Sequence, residues 1–285
     1  MRVTTDGSAP ATVPAHGRAG RDLRAATGVG LALAGLVLGS LLLWRPAFVA
    51  LALAVTAVAV WELRDAFALK NIRLPLVPVI LGGVLMIVGA YAGGHQTMVV
   101  ALALTVVAVL VWRLAEDPPG YTGDVAAGIF VAVYVPFLAG FAMLLLRPDD
   151  GAWRVLTCIL VVFASDTGGY VAGVVAGRHP LAPTVSPKKS WEGLVGAVVA
   201  CVAVASLAVV VLLGGSWWVG VLLGAAAAVT ATLGDLAESM IKRDLGIKDM
   251  SRLLPGHGGI MDRLDSLLPT APVSWLVLST LVPAG

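Results

Sequence analysis

Charge is scarce in this sequence: Asp, Glu, Lys and Arg make up 13% of its 285 residues, against 59% hydrophobic. A water-soluble surface cannot be built from that ratio, so the bilayer must be the main solvent of the chain. Cysteine is nearly absent as well. Cys158 and Cys201 lie in apolar stretches with no CxxC pairing and no histidine beside them, which reads as buried thiols rather than a disulfide or metal framework. With four histidines and two cysteines, both dispersed, a zinc site is disfavoured. A net charge of +2, with no basic stripe interleaved with aromatics, is too small to suggest a nucleic-acid partner, and none is expected.

What is abundant is long apolar runs. A helix needs roughly 20 mostly apolar residues to cross a hydrocarbon core, and nine such stretches are legible: 26–44, 46–61, 75–92, 97–114, 124–146, 153–176, 193–213, 217–238 and 260–283. The second is the shortest and begins at Pro46, a residue that suits the first turn of a helix. Without it every later loop would change sides. The reading is an all-α integral membrane protein of about nine transmembrane helices. Residues 1–25 read as a disordered cytoplasmic tail, 26–152 as scaffold helices, and 153–285 as a catalytic region with loops 177–193 and 239–260.

Charge placement supports the count. With nine spans, the tail, the loops after spans two, four, six and eight, and the start of span nine hold 16 of the 19 Lys and Arg, leaving only Arg45, Arg147 and Arg154 opposite. The positive-inside rule then puts the N-terminus in the cytoplasm and the C-terminus outside.

The first five spans show no chemistry beyond packing and lipid contact. The second half differs. Ser165 and Asp166 sit near the middle of span six, Asp235 and Glu238 near the end of span eight, and Asp262, Arg263 and Asp265 at the start of span nine. A carboxylate at a helix centre costs roughly 2.5–3.5 kcal/mol on insertion scales, so it faces protein, a partner or a water-filled cavity. Gly169, Gly173 and Gly177, spaced four apart after Asp166, read first as a helix-packing face.

Two polar loops follow. One runs Ser186-Pro187-Lys188-Lys189-Ser190-Trp191-Glu192-Gly193, where lysines flanked by hydroxyls suit polyphosphate oxygens. The same lysines would also satisfy the positive-inside rule in a loop without a ligand, and these residues alone leave both readings open. The other, Ser239 to Asp265, reads SMIKRDLGIKDMSRLLPGHGGIMDRLD. Its glycine turn opens directly onto an apolar helix, whose free amides offer a site for anionic oxygens. Asp262 and Asp265 share a face there, Asp235 arrives on the same side, and carboxylates with phosphate oxygens and water suit Mg²⁺. Asp249 reads as a partner of Lys248. His257 is a candidate general base, or a ring that holds backbone or phosphate.

Ser239 to Asp265 resembles the signature of the phosphatidate cytidylyltransferases, S-x-hydrophobic-K-R-x4-K-D-x-small-x2-L-P-x-H-G-G-hydrophobic-x-D-R-x-D. The likeness extends back through Ser165-Asp166-Thr167-Gly168-Gly169-Tyr170 and the Lys188-Lys189 loop, so it covers the C-terminal part of the chain. Gly169 stands where alanine is commoner in the family. The resemblance implies that the phosphate of phosphatidic acid attacks the α-phosphorus of CTP, giving CDP-diacylglycerol and pyrophosphate in phospholipid biosynthesis. It implies a multi-pass enzyme of the cell membrane with its site facing the cytoplasm, able to form a homodimer.

On this reading Mg²⁺, with room for a second, monovalent cation, is held by Asp235 and Asp262. Lys242 and Arg243 join them in catalysis by screening charge on the leaving group. Ser186, Lys188, Lys189, Ser190, Lys248, His257, Gly258, Gly259 and Arg263 hold nucleotide and phosphate. Asp166, Asp265 and Glu192 are further candidates, with Asp265 and Arg263 alternatively a local ion pair. Two rivals remain. A CTP-dependent lipid-alcohol (polyprenol) kinase would release CDP instead of pyrophosphate. An ion-coupled transporter would also use intramembrane aspartates, but charge here gathers at one mouth and no repeat relates the halves.

Overall fold

The computed structural model describes residues 23–115, 118–251, 253 and 258–283. The expected tail lies outside them, apart from its last three residues, which begin the first helix. Among the described residues eight helices are long and apolar enough to span a bilayer, and a ninth contributes the shorter apolar stretch Gly30–Leu43. The protein is an all-α membrane bundle.

In chain order the helices are α1 (Leu23–Leu43), α2 (Arg45–Ala68), α3 (Leu76–Gly93) and α4 (His95–Leu114). The next span is α5 (Tyr121–Ala132) and α6 (Leu138–Leu146), joined by a π-helical turn at Val133–Phe137. Pro136 lies inside that turn; it has no N–H to donate, and the wider turn accommodates the ring without ending the helix. Then come α7 (Gly151–Ala176), α8 (Trp191–Leu213) and α9 (Trp217–Leu245). The last span is split into α10 (Met261–Leu264) and α11 (Leu267–Leu281). The doubtful second span is a full helix of 24 residues with proline in its first turn.

The polar turns sort to two ends. At one end Arg45 donates to the Asp149 carbonyl. Arg154, 2% exposed, pairs with Asp150 at 2.7 Å and caps the end of α11, donating to the carbonyls of Leu278, Val282 and Pro283. Helix carbonyls left without partners at a C-terminus are well satisfied by a guanidinium. At the other end Arg113 and Asp124 form a buried pair at 2.8 Å, and Asp124 also accepts the Arg73 amide at 2.6 Å. The loops after α7 and α9 lie at this end too, and the ion pairs described below tie the first of them to α9 and α9 to α10.

Packing in the second half depends on small residues. A Cβ added at Gly196 would stand 2.2 Å from the Ala172 Cβ, and one at Gly168 would stand 2.5 Å from that of Ala200. Helices α7 and α8 therefore touch backbone to backbone, the small-residue mode of membrane helices. The closest contact falls one position away from the glycines that the spacing singled out. Gly169 and Gly173 also meet α8, since a Cβ at Gly193 would lie 3.0 Å from the Gly169 carbonyl oxygen and 3.7 Å from the Gly173 Cα, and both line a cavity as well.

Candidate active site

Between α7 and α8 the prolines and glycine of the loop break the helix, as expected. The chain folds into a short hairpin, β1 (Pro180–Ala182) paired antiparallel with β2 (Ser186–Ser190). Ser190 ends it as the N-cap of α8, its Oγ accepting the Gly193 amide at 3.1 Å, a standard way to satisfy an orphan donor. This fixes the direction of the two lysines just before it. Lys189 Nζ reaches across to Asp235 Oδ2 of α9 at 2.6 Å.

Asp235 also accepts the Ser239 hydroxyl at 3.3 Å. One turn on, Lys242 Nζ is held between Glu238 Oε2 at 2.6 Å and Asp262 Oδ1 at 2.8 Å. Glu238 is fully buried. Asp262 Oδ2 accepts the amides of Gly259 at 2.7 Å and Met250 at 3.1 Å. The two loops and the ends of α9 and α10 are thus tied by lysine–carboxylate bonds.

These groups surround a cavity of about 920 Å³. It is lined by ten of the expected site residues: Asp166, Lys188, Lys189, Ser190, Asp235, Lys242, Gly258, Asp262, Arg263 and Asp265. Ser165 and Tyr170 extend it along α7 toward the middle of the bundle, and Asp249, Ser251 and Ser266 complete its polar wall.

Several expected residues stand elsewhere. Glu192 is not in the wall. It pairs with His179 at 2.6 Å and accepts the amides of Arg178 and His179, which secures the hairpin. Arg243 points away toward the Val185 carbonyl. Ser186 and Lys248 stand outside the lining as well, and no ion pair joins Lys248 to Asp249 among the described residues. The amides at the start of the last span are not open to anions: that of Gly259 is bound to Asp262, and those of Ile260 and Met261 are bound to Glu62. Glu62, from the presumed scaffold, was missed. A lone Glu at the end of an apolar span carries no linear motif that would signal it. His257 lies outside the described residues.

Formally the described lining carries five carboxylates (Asp166, Asp235, Asp249, Asp262, Asp265) and four cations (Lys188, Lys189, Lys242, Arg263). Such a wall does not by itself attract a polyphosphate. Its surplus of hard oxygen donors fits a divalent cation of the Mg²⁺ kind, although no three acidic, His or Cys groups are already gathered around one point among the described residues.

A multi-pass membrane protein with an ionic cavity of nucleotide size at one mouth, walled by lysine and aspartate, belongs with enzymes that handle phosphates at a membrane. The chain is a member of the cytidylyltransferase family, whose sequence profile matches residues 24–281, and so is a nucleotidyltransferase. It is similar to a protein named phosphatidate cytidylyltransferase from Mycobacterium bovis, with 42% identity over 298 aligned residues covering 96% of this chain and 97% of the relative. A protein of the same name from Mycobacterium leprae is 42% identical, covering 93% and 90%. One from Haemophilus influenzae is 32% identical, covering 85% and 93%.

Proposed function

We propose that this protein is a phosphatidate cytidylyltransferase that makes CDP-diacylglycerol for phospholipid biosynthesis, with its cavity open to the cytoplasm from the cell membrane. The observation that carries this reading is the cavity itself: one end of an apolar bundle in which lysines and aspartates from two loops and three helices converge. A diacyl chain stays among the apolar helices while its phosphate meets a nucleotide at the polar mouth.

In the reaction a phosphate oxygen of phosphatidic acid forms a bond to the α-phosphorus of CTP. The bond from that phosphorus to the bridging oxygen breaks, and its electron pair leaves with pyrophosphate. No protein nucleophile is needed, because the attacking phosphate is already ionised. The work of the site is positioning and charge compensation.

Lys188 and Lys189 hold CTP phosphates from the hairpin. Lys242, fixed between Glu238 and Asp262, faces the charge that grows on the pyrophosphate. Arg263, at the start of the last span, adds a second cation there. Asp235 and Asp262 would hold Mg²⁺ through the oxygens now bonded to Lys189 and Lys242, with Asp166 and Asp265 nearby in the same wall and room for a monovalent cation. When bound, Mg²⁺ reduces the repulsion between the two anionic substrates.

The test uses purified protein in mild detergent with phosphatidic acid, Mg²⁺ and CTP labelled at the α-phosphorus. Label passing into the organic phase as pyrophosphate appears is the expected result. Label left in water as CDP, with a lipid alcohol phosphorylated, would assign a kinase instead.

A further inference from the structure

Glu62 stands apart from every residue that the sequence motifs assign to the site. It belongs to α2, in the first quarter of the chain, and is 1% exposed. Its Oε1 accepts the Ser251 hydroxyl at 2.5 Å and the Ile260 amide at 2.9 Å, and its Oε2 accepts the Met261 amide at 2.8 Å. A Cβ at Gly259 would lie 2.8 Å from each of those carboxylate oxygens, so the turn crosses directly over the carboxylate and a larger residue there would have to displace it from its hydrogen bonds.

The amides of residues 259, 260 and 261 are therefore held in succession by two carboxylates. One, Asp262, belongs to the turn itself; the other comes from the opposite half of the chain. Charge-assisted bonds to a carboxylate are short and directional, and two backbone amides and one hydroxyl converging on one buried group fix the turn in place. Glu62 does not line the cavity, whereas Ser251, Gly258 and Asp262 do. A shift of the turn moves Asp262, and with it Lys242.

We infer that Glu62 is a positioning residue for nucleotidyl transfer: it sets the depth at which the Gly258–Asp262 turn and Ser251 face the cavity, without touching substrate. The inference rests on the proposed reaction for its kinetic test, but the clamp itself can be tested without turnover.

The experiment compares Glu62→Ala, Gly259→Ala and the double variant in the full chain, at equal amounts of folded, detergent-extracted protein. Each single change is expected to lower kcat by about 100-fold, the scale of a small misplacement of reacting groups. KM for CTP should move less than about threefold, because the binding lysines of the hairpin are untouched. The double variant should be no worse than either single one, since the new methyl group enters the space the carboxylate leaves. Hydrogen exchange at the Ile260 and Met261 amides, measured without substrate, should speed up at least about tenfold in Glu62→Ala.

Additive losses, an unchanged kcat, or unchanged exchange would overturn the inference. If Glu62→Ala fails to fold, Glu62→Gln serves. It keeps the size but turns one acceptor into a donor facing an amide, and the same fall in kcat with accelerated exchange is expected. A wild-type protein that never consumes CTP, yet shows the exchange response, would remove the proposed reaction and leave the clamp standing.

Discussion

Asp235 and Asp262 hold their charges in different ways. Asp262 has both oxygens engaged, by Lys242 and by two backbone amides, while Asp235 is bonded to Lys189 and Ser239 and remains about one-third exposed. Asp235→Asn should therefore reduce turnover by about 10³-fold, the upper range for losing one electrostatic contact in a site, with thermal stability in detergent unchanged. Asp262→Asn should lose turnover to a similar degree and also lower the unfolding midpoint, because the turn loses its own clamp; equal midpoints for the two variants would contradict this division. Lys189→Ala should raise KM for CTP about tenfold, the scale of one charge-assisted hydrogen bond, and steady-state kinetics at varied CTP would show it. The aspartates and lysines of the motif were legible because helical spacing puts Asp262 and Asp265 on one face and Glu238 one turn from Lys242. Glu62 was not legible: its partners follow about 190–200 residues later, and no local periodicity encodes such a contact.

The α7–α8 pair shows how an element places a site. Its backbone contact at Gly168 and Gly196 brings the hairpin lysines over α9, because the hairpin is the connection between those two helices. Gly196→Val should force the pair apart and cost about 1–3 kcal/mol, as overpacking does. A lowered unfolding midpoint together with weaker CTP binding would be the sign of it, whereas the same change at Gly28, where an added Cβ meets nothing within 4 Å, should do neither. Reading i, i+4 glycines located the correct helix and part of the seam: Gly169 and Gly173 meet α8 at Gly193, while Gly168 and Ala172 meet it at Gly196 and Ala200. Periodicity gives the faces of a helix, but the partner helix decides which face is the seam. Likewise the two prolines showed that the loop was not helical, but the pairing of β1 with β2 depends on non-local hydrogen bonds.

For the whole molecule, the helices among the described residues alternate in direction, and their turns gather at two ends. The turns near Arg45, Asp149 and Arg154 meet at one end, and the hairpin, the Lys242 loop and the Arg113–Asp124 pair lie at the other. Given the positive-inside rule, Thr184→Cys at the hairpin tip should react with an impermeant maleimide only when the cytoplasmic face is open. Asp149→Cys should react in intact cells. The native Cys158 and Cys201 are buried and give little background; the reverse pattern of labelling would invert the orientation. Sequence by itself determined the solvent, eight of the nine expected spans, and most of the ionic residues that line the cavity, because hydropathy and motif spacing are local properties of a chain. The tertiary structure decided which amides were already bound, which glycines form the seam, which lysine meets which aspartate, and that a glutamate from the presumed scaffold holds the active turn. Each of these depends on distances between segments far apart in the chain, and those distances exist only once the helices have packed.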